Sequence, residues 1–427
     1  MQRAGIVSAF IVFGCSLAAH GQTSAELATQ AERQIRAGKS VEAAETLARA
    51  SESAGNSAET EDRIGFLYGV LNSSNRAIEH FQRSISLASD YAPAHFHLGV
   101  AFWLTSDFDR GLEHLRKAVA LAPNVFEYQY RLGSADLEGR NFDAAVAELK
   151  HAVALNASDS QAWISYGVAL HAKNQFADSA EVYGHALKLD PANDKLRNDY
   201  GAVLVEARQP DRAIEEAEKV LARGAAKPEA KVAAHMNIGY ACLKTGKFDR
   251  AEKAYRAALA LDADSPAVIY NLAIALKMED RLEASHVQLQ RAIALKPDFP
   301  EAYYSLGIIQ WQLGNLPGTA DSMKSAIALQ PDFAEAHYML GIALKQLGDL
   351  DGAIAALNEA IRLDPTTPGP FNTLGQILKI KGDKDGSERA FAAGAQLRKD
   401  REGELSKALE QGMRGGTFPK PIGTLKP

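Results

Sequence analysis

The histidines are the residues of this sequence whose spacing comes closest to that of a chemical site. His80 and His114 lie 34 residues apart, and so do His151 and His185. Neutral imidazole is a common metal ligand, so either pair could supply part of a zinc site if folding brought its members together. No third ligand recurs with either pair. We therefore interpret all four as solvent-exposed side chains and predict that the protein holds neither a metal ion nor a cofactor.

Cysteine and serine give no stronger indication of chemistry. The chain contains two cysteines, Cys15 and Cys242. Cys242 stands where corresponding segments have Leu276 and Leu344, so we interpret it as a core residue. The sequence contains neither a local nucleophile motif nor a phosphate-binding glycine loop. These observations indicate a protein that is not an enzyme.

A period of 34 residues organises the chain from about residue 24 to residue 401. Small residues recur at this period, with one longer interval of 38 residues, at Ala31, Gly65, Gly99, Gly133, Gly167, Gly201, Gly239, Ala273, Gly307, Gly341 and Gly375. A second series of small residues follows twelve positions later, as Ala353 follows Gly341. Apolar residues spaced three and four apart around each series predict two short amphipathic helices per repeat. Helices this short are unstable alone, so each pair must pack against its neighbours.

The recurring glycines indicate close helix packing. Glycine inside a helix costs about 1 kcal/mol relative to alanine, so its recurrence needs a physical reason. We infer that the two helices of a repeat approach closely there and that a large residue of the second helix, such as Leu357 or Phe391, fills the space. Gln30 and Asp136 depart from the otherwise apolar core pattern.

One segment shows the repeat most completely. It has the pattern Leu340-Gly341-x-x-Leu344, then Ala353-x-x-x-Leu357-x-x-Ala360, then Pro365. This pattern and the period resemble the tetratricopeptide repeat (TPR). The resemblance implies an all-α fold, a right-handed α-α superhelical solenoid of about eleven helix-turn-helix units. It also implies that a protein or peptide ligand binds a concave groove lined by the first helices.

The first helices carry a second stripe, which we call the groove strip, on a side where a solvent-exposed helix should be polar. Its predicted members are Tyr270, Ile274, Lys277, Tyr304, Ile308, Trp311, Tyr338, Ile342, Lys345 and Lys379, and second candidates are Phe96, Trp103, Tyr130 and Tyr240. Mixtures of tyrosine, tryptophan and lysine are typical of binding surfaces, and this one suits an extended peptide with apolar and acidic residues. The alternative is that these side chains pack between successive repeats.

The charge balance bears on the class of partner. The net charge is −6 and the isoelectric point is about 6.0, without the basic face that nucleic-acid binders show. We therefore predict no nucleic-acid partner. After residue 20 no apolar stretch is long enough to span a bilayer, so no stable membrane span is expected in the mature chain.

Residues 1–21 resemble a secretory signal peptide. Arg3 precedes an apolar run, and small residues follow before Gln22. We predict an exported protein, periplasmic or secreted. Two alternatives remain open, an uncleaved N-terminal membrane anchor and a lipoprotein site at Cys15.

The repeats fall into two groups, units 1–6 in residues 24–227 and units 7–11 in residues 228–401. Four extra residues within 224–231 either lengthen a helix by about one turn or form a hinge. Residues 402–412 are predicted to form a capping helix, and the Gly- and Pro-containing segment 413–427 a disordered tail.

Together these features predict a non-catalytic scaffold that binds proteins or peptides in the cell envelope or the secreted space. One alternative is a structural or accessory subunit of a secretion or polysaccharide-export assembly. Another is a TPR-containing glycosyltransferase-like enzyme, which the length disfavours because the repeats occupy nearly the whole chain. Fold class does not by itself choose among these functions.

Overall fold

The structure, a computed structural model, describes the backbone of residues 22–52 and 57–415, with side chains through residue 403. The predicted signal peptide and most of the predicted tail lie outside these ranges. All regular structure in the described ranges is α-helical. The helices fall into two compact units that divide between Arg208 and Gln209.

The first unit contains α1 (Ser24–Arg36), α2 (Ser40–Glu52), α3 (Ala58–Val70), α4 (Ser74–Leu87), α5 (Ala92–Leu104), α6 (Phe108–Leu121), α7 (Phe126–Glu138), α8 (Phe142–Leu155), α9 (Ser160–Ala172), α10 (Phe176–Leu189) and α11 (Asp194–Glu206). The second unit contains α12 (Pro210–Ala222), α13 (Pro228–Lys244), α14 (Phe248–Leu261), α15 (Pro266–Met278), α16 (Leu282–Leu295), α17 (Pro300–Gln312), α18 (Leu316–Leu329), α19 (Ala334–Leu347), α20 (Leu350–Leu363), α21 (Pro368–Ile380) and α22 (Lys384–Gly415). Odd-numbered helices are the first helices of the repeats. The predicted all-α fold of about eleven consecutive helix pairs is confirmed over the described residues.

The two helices of a pair meet at the recurring glycine. A Cβ atom on Gly341 would lie 2.7 Å from Leu357 Cγ and 3.3 Å from the carbonyl oxygen of Ala353. A Cβ atom on Gly307 would lie 2.5 Å from Met323 Cε. Distances below about 3 Å leave no room for the added atom, so the helix spacing depends on the missing side chain. The packing role that the sequence assigns to these glycines agrees with this geometry.

Each first helix is followed, within two residues, by a residue in the left-handed conformation. Positive φ angles recur at Gly38, Asn72, Ser106, Arg140, Asn174, Arg208, Gly246, Asp280, Gly314, Gly348 and Gly382. After Gly348 the chain turns back, and the Asp349 amide donates to the carbonyl oxygen of Leu344 at 3.0 Å. This bond, five residues back along the chain, is that of the Schellman motif, which closes a helix end and redirects the chain. The same short turn therefore sets the direction of each second helix.

The four extra residues lengthen a helix. α13 has 17 residues, whereas α15 and α17 have 13 each. The addition lies at the start of α13, where Pro228 occupies the first turn and needs no amide partner. At the other end of the chain, residues 402–412 continue α22, which runs to Gly415.

The packing argument gives a stability prediction. Gly341→Ala should lower the free energy of unfolding by about 1–3 kcal/mol, because the new methyl group overpacks the contact with Leu357. The matched control is Gly403→Ala in α22, where no atom lies within 4 Å of the added Cβ. There the helix propensity of alanine should leave stability unchanged or slightly raised. Chemical denaturation of both variants measures the difference, and equal midpoints would contradict the close-packing account.

Candidate functional site

The groove strip lies on four first helices of the second unit. Its members are Tyr270, Ile274 and Lys277 on α15, Tyr304, Ile308 and Trp311 on α17, Tyr338, Ile342 and Lys345 on α19, and Lys379 on α21. Offsets of three and four residues place the members on each helix on one side of it. Lys379 is exposed and the other members are half-buried. Each side chain therefore keeps some surface that a ligand could contact.

Two tyrosines of the strip pack against the following repeat. The ring centre of Tyr270 lies 5.0 Å from that of Phe299, and its hydroxyl oxygen lies 3.2 Å from Ser305 Oγ. The ring centres of Tyr304 and Phe333 are also 5.0 Å apart. Aromatic pairs at this separation stabilise a fold beyond the area that they bury. These contacts show that inter-repeat packing uses part of each ring.

The third tyrosine follows the same pattern with a different partner. A Cβ atom on Gly369 would lie 2.8 Å from the Tyr338 hydroxyl, so the phenol contacts the start of α21 directly. Ile308 packs beside the buried Met323 and Leu340. Packing therefore accounts for one side of the strip, and the binding role of its exposed surface stays a prediction.

The tyrosine edge of the strip is acidic. Burial raises the pKa of Tyr270 and of Tyr304. The nearby carboxylate of Glu301 raises the pKa of Tyr270 further, and that of Glu335 does the same for Tyr304. Glu301 and Glu335 lie in the first turns of α17 and α19. The phenols stay neutral, and this edge repels anions.

The opposite edge of the strip is cationic. Burial lowers the pKa of Lys277, which forms no ion pair with the described residues. Lys345 donates to Gln376 Oε1, a neutral acceptor. Trp311 lies 34 residues from each of these lysines, at the same position of the intervening repeat. The strip therefore has negative charge at its tyrosine edge and positive charge at its lysine edge.

The second candidates in the first unit are largely occupied by the protein itself. Phe96 and Trp103 are only 7% and 8% exposed. The Phe96 ring stacks on Tyr128 with centres 4.6 Å apart, and the Trp103 indole N–H donates to Glu138 Oε2 at 2.9 Å. These side chains offer a ligand much less surface than the groove strip does.

The two remaining second candidates are half-buried. The Tyr130 ring lies parallel to Phe126, with centres 5.7 Å apart. Tyr240 belongs to α13 of the second unit, and the Lys244 ammonium lies 5.1 Å from its ring centre.

Cys242 has no part in either surface, because it is fully buried in α13, as the sequence predicts.

The interpretation of His80 as solvent-exposed is wrong, and that of His114 holds only in part. His80 is 3% exposed, and its Nδ1 lies 2.6 Å from Glu61 Oε2. His114 is half-buried, and its Nδ1 lies 3.0 Å from Nδ1 of the buried His95. His185 is exposed, as expected, and stacks on an aromatic ring. His80 and His114 each have a partner on the facing helix of their own repeat, a contact that a 34-residue spacing between equivalent positions does not reveal.

A spacing within the repeat could have revealed these contacts. Glu61 and His80 are 19 residues apart, and so are His95 and His114. Glu61 and His95 occupy the same position of successive first helices, a position that holds a buried apolar residue in other repeats, such as Leu27 or Ile269. A buried polar residue at that position needs a polar partner, and in these two repeats the facing second helix supplies it. The pairing of the two positions was the missed signal.

The His80 cluster resembles a catalytic triad in its distances. His80 Nε2 lies 2.9 Å from Ser51 Oγ. The Ser51 hydroxyl donates to the carbonyl oxygen of Leu47 at 2.8 Å. His80 Nε2 and the carbonyl oxygen of Leu47 therefore compete for the single hydroxyl proton of Ser51. In this arrangement the imidazole links Glu61 to the end of α2.

Three carboxylates in the second unit lie close enough to share a cation, namely Asp249, Glu252 and Glu279. Arginine already neutralises part of this group, because Arg281 forms ion pairs with both Glu252 and Glu279. The cluster is therefore a solvent-facing ion-pair network. Within residues 22–52 and 57–415, no helix is both long and apolar enough to cross a bilayer.

The helix pairs, their period and their glycine contacts define a helical repeat protein, a class in which neighbouring repeats form one continuous core. Comparison with family models identifies the repeat. Tetratricopeptide repeat models match residues 67–125, 130–194, 201–266 and 334–367, and a TPR repeat model matches residues 279–314. The chain belongs to the tetratricopeptide repeat family.

Several solved structures are similar to parts of the chain. A crystal structure of MamA is 25% identical, covers 39% of this chain and 96% of its own, and has a TM-score of 0.37. The human IFIT1 dimer with m7Gppp-AAAA is 12% identical over 88% of this chain and 94% of its own, with a TM-score of 0.44. The Naa15/Naa10 structure bound to HypK-THB is 15% identical over 92% of this chain and 66% of its own, with a TM-score of 0.42. No curated protein sequence matches the chain.

The pair of His95 and His114 gives a pH prediction. Burial, and then the neighbouring His95, lowers the pKa of His114 below its usual range, so the unfolded chain binds a proton at a higher pH than the folded protein does. Stability should therefore be full above about pH 6.5 and fall as the pH drops through the lowered value. His114→Gln should flatten this part of the curve. Denaturation midpoints measured between neutral and mildly acidic pH test this, and an unchanged slope in the variant would rule out His114 as the cause.

Proposed function

We propose that this TPR protein is a non-catalytic scaffold and that the groove strip of its second unit binds a protein or peptide segment. The observation that carries the proposal is the alignment of half-buried aromatic, aliphatic and lysine side chains at the same positions of successive first helices. Half-buried tyrosine and tryptophan can anchor a ligand because they present a large rigid surface with a polar end. Membership of a family that binds protein partners supports the same conclusion.

The geometry favours an extended ligand. The strip continues over four first helices, so a segment lying along it meets a similar set of side chains at each repeat. The tyrosine contacts to Phe299 and Phe333 hold the rings in place before a ligand arrives. Such rigidity reduces the entropy lost on binding. The first unit contributes less, because Phe96 and Trp103 are already buried.

A double variant tests the strip. Tyr304→Ala combined with Trp311→Ala should weaken capture of the partner about tenfold or more, which corresponds to ~1.4 kcal/mol or more. Thermal unfolding should shift modestly, since the Tyr304–Phe333 contact is lost as well. The matched control is Val287→Ala on α16, an exposed apolar residue outside the strip, which should change neither quantity. Affinity capture with quantitative mass spectrometry and thermal unfolding provide the two readouts. Unchanged capture with a large loss of stability would mean that the strip serves packing alone.

We also propose that the protein acts outside the cytoplasm, in the periplasm or the secreted space, as residues 1–21 indicate. The expected mature N-terminus is near Gln22. N-terminal sequencing of the protein from the extracytoplasmic fraction tests this proposal. An intact Met1 in the membrane fraction would favour an anchor instead.

A further inference from the structure

Two tryptophans occupy the same position of the repeat, Trp103 on α5 and Trp311 on α17. In the first unit the Trp103 indole N–H donates to Glu138 Oε2, at 2.9 Å, from a residue 35 positions further along the chain. The guanidinium carbon of Arg131 lies 5.9 Å from the centre of the Trp103 ring. An indole N–H, a carboxylate and a cation therefore lie together on this face. Hydrogen bonds to a charged acceptor are stronger than those between neutral groups.

The second unit has the indole and the cations but lacks the carboxylate. The residue 35 positions after Trp311 is Gln346, which is neutral and exposed. The Trp311 indole N–H forms no hydrogen bond with the described part of the chain. Lys277 and Lys345 occupy the same position as Trp311 in the preceding and following repeats. Two ammonium groups and one indole donor thus lie along this edge with no acidic side chain at the Glu138 position.

The environment of Lys277 makes this absence significant. Lys277 is half-buried and has no ion pair among the described residues. A partly desolvated ammonium without a counter-charge is unfavourable, and a carboxylate close to it would reverse that cost. The acidic residues that do face the strip, Glu301 and Glu335, lie near the tyrosines at the opposite edge. They cannot serve Lys277, and they repel a second anion from that edge.

We propose that a carboxylate of the bound ligand takes, beside Trp311, the place that Glu138 takes beside Trp103. This inference rests on the proposed function and names the ligand class, a peptide segment with aspartate or glutamate side chains. The carboxylate accepts the Trp311 N–H between Lys277 and Lys345. The apolar side chains of the segment lie against the aromatic and isoleucine surface, so the two edges orient the segment across the strip.

Two variants distinguish a specific carboxylate site beside Trp311 from non-specific peptide binding. Trp311→Phe keeps an aromatic ring but removes the N–H donor. Gln346→Glu supplies the chain's own carboxylate at the position of Glu138 and should compete with the ligand. The matched control is Gln290→Glu, which adds the same charge at an exposed site on the second helix α16.

The probes are three pools of short fluorescein-labelled peptides of random sequence, and the full-length protein is titrated into each. All pools contain leucine and alanine, combined with aspartate and glutamate in one, asparagine and glutamine in the next, and lysine and arginine in the last. Fluorescence anisotropy should show the acidic pool binding about tenfold more tightly than the amide pool, an advantage of ~1.4 kcal/mol. The advantage should shrink as salt is added. Trp311→Phe and Gln346→Glu should each remove most of it, and Gln290→Glu should not.

The outcomes distinguish the two proposals. Equal affinity for the acidic and amide pools, or an acidic preference that both variants retain, contradicts the carboxylate site beside Trp311. Either result leaves the proposal of peptide binding intact. Binding of the basic pool alone also contradicts the carboxylate site, because the cationic edge would then not contact the ligand. Failure of the wild-type protein to bind any pool contradicts peptide binding itself.

Discussion

The close approach of two helices at a glycine is the contact on which the rest of this structure depends. At Gly341 the space of a single methyl group is already occupied by Leu357. Because the two backbones lie this close, the remaining side chains of the pair interlock at fixed positions along the helix axes. The same contact recurs in the described repeats, for example at Gly307 against Met323. Every surface feature at a given repeat position is consequently presented in the same orientation in its unit.

Polar groups inside the repeats add specificity to this apolar frame. Glu61 and His95 share a repeat position, and each has a partner 19 residues later. Asp136 is almost completely buried, and its Oδ1 accepts from Arg116 and Asn141 at 3.0 Å each. Most buried polar groups in proteins have such a partner, whereas Asp136 Oδ2 has none among the described residues. These contacts belong to the first unit.

One repeat position has different surroundings in the two units. Trp103 and Trp311 share a repeat position, yet one N–H bonds to Glu138 and the other has no acceptor among the described residues. The difference arises from a single residue, glutamate or glutamine, one repeat further on. The tyrosines of the groove strip pack on the next repeat and remain half-buried, so part of each side chain is left for the ligand that we propose.

The sequence by itself determined the repeat, its period, the helix pairs and the glycine contacts, because these depend on spacing and on local helix periodicity. It also predicted the groove strip and left open whether the four extra residues before α13 form a hinge or a helical turn. Only the tertiary structure showed that Tyr270 and Tyr304 pack against Phe299 and Phe333, because those contacts join different repeats. Only the tertiary structure placed His80 beside Glu61. The partner of a side chain depends on which helix faces meet and on how far one helix is shifted along the other. The periodicity of the sequence specifies the helix faces but not the individual contacts.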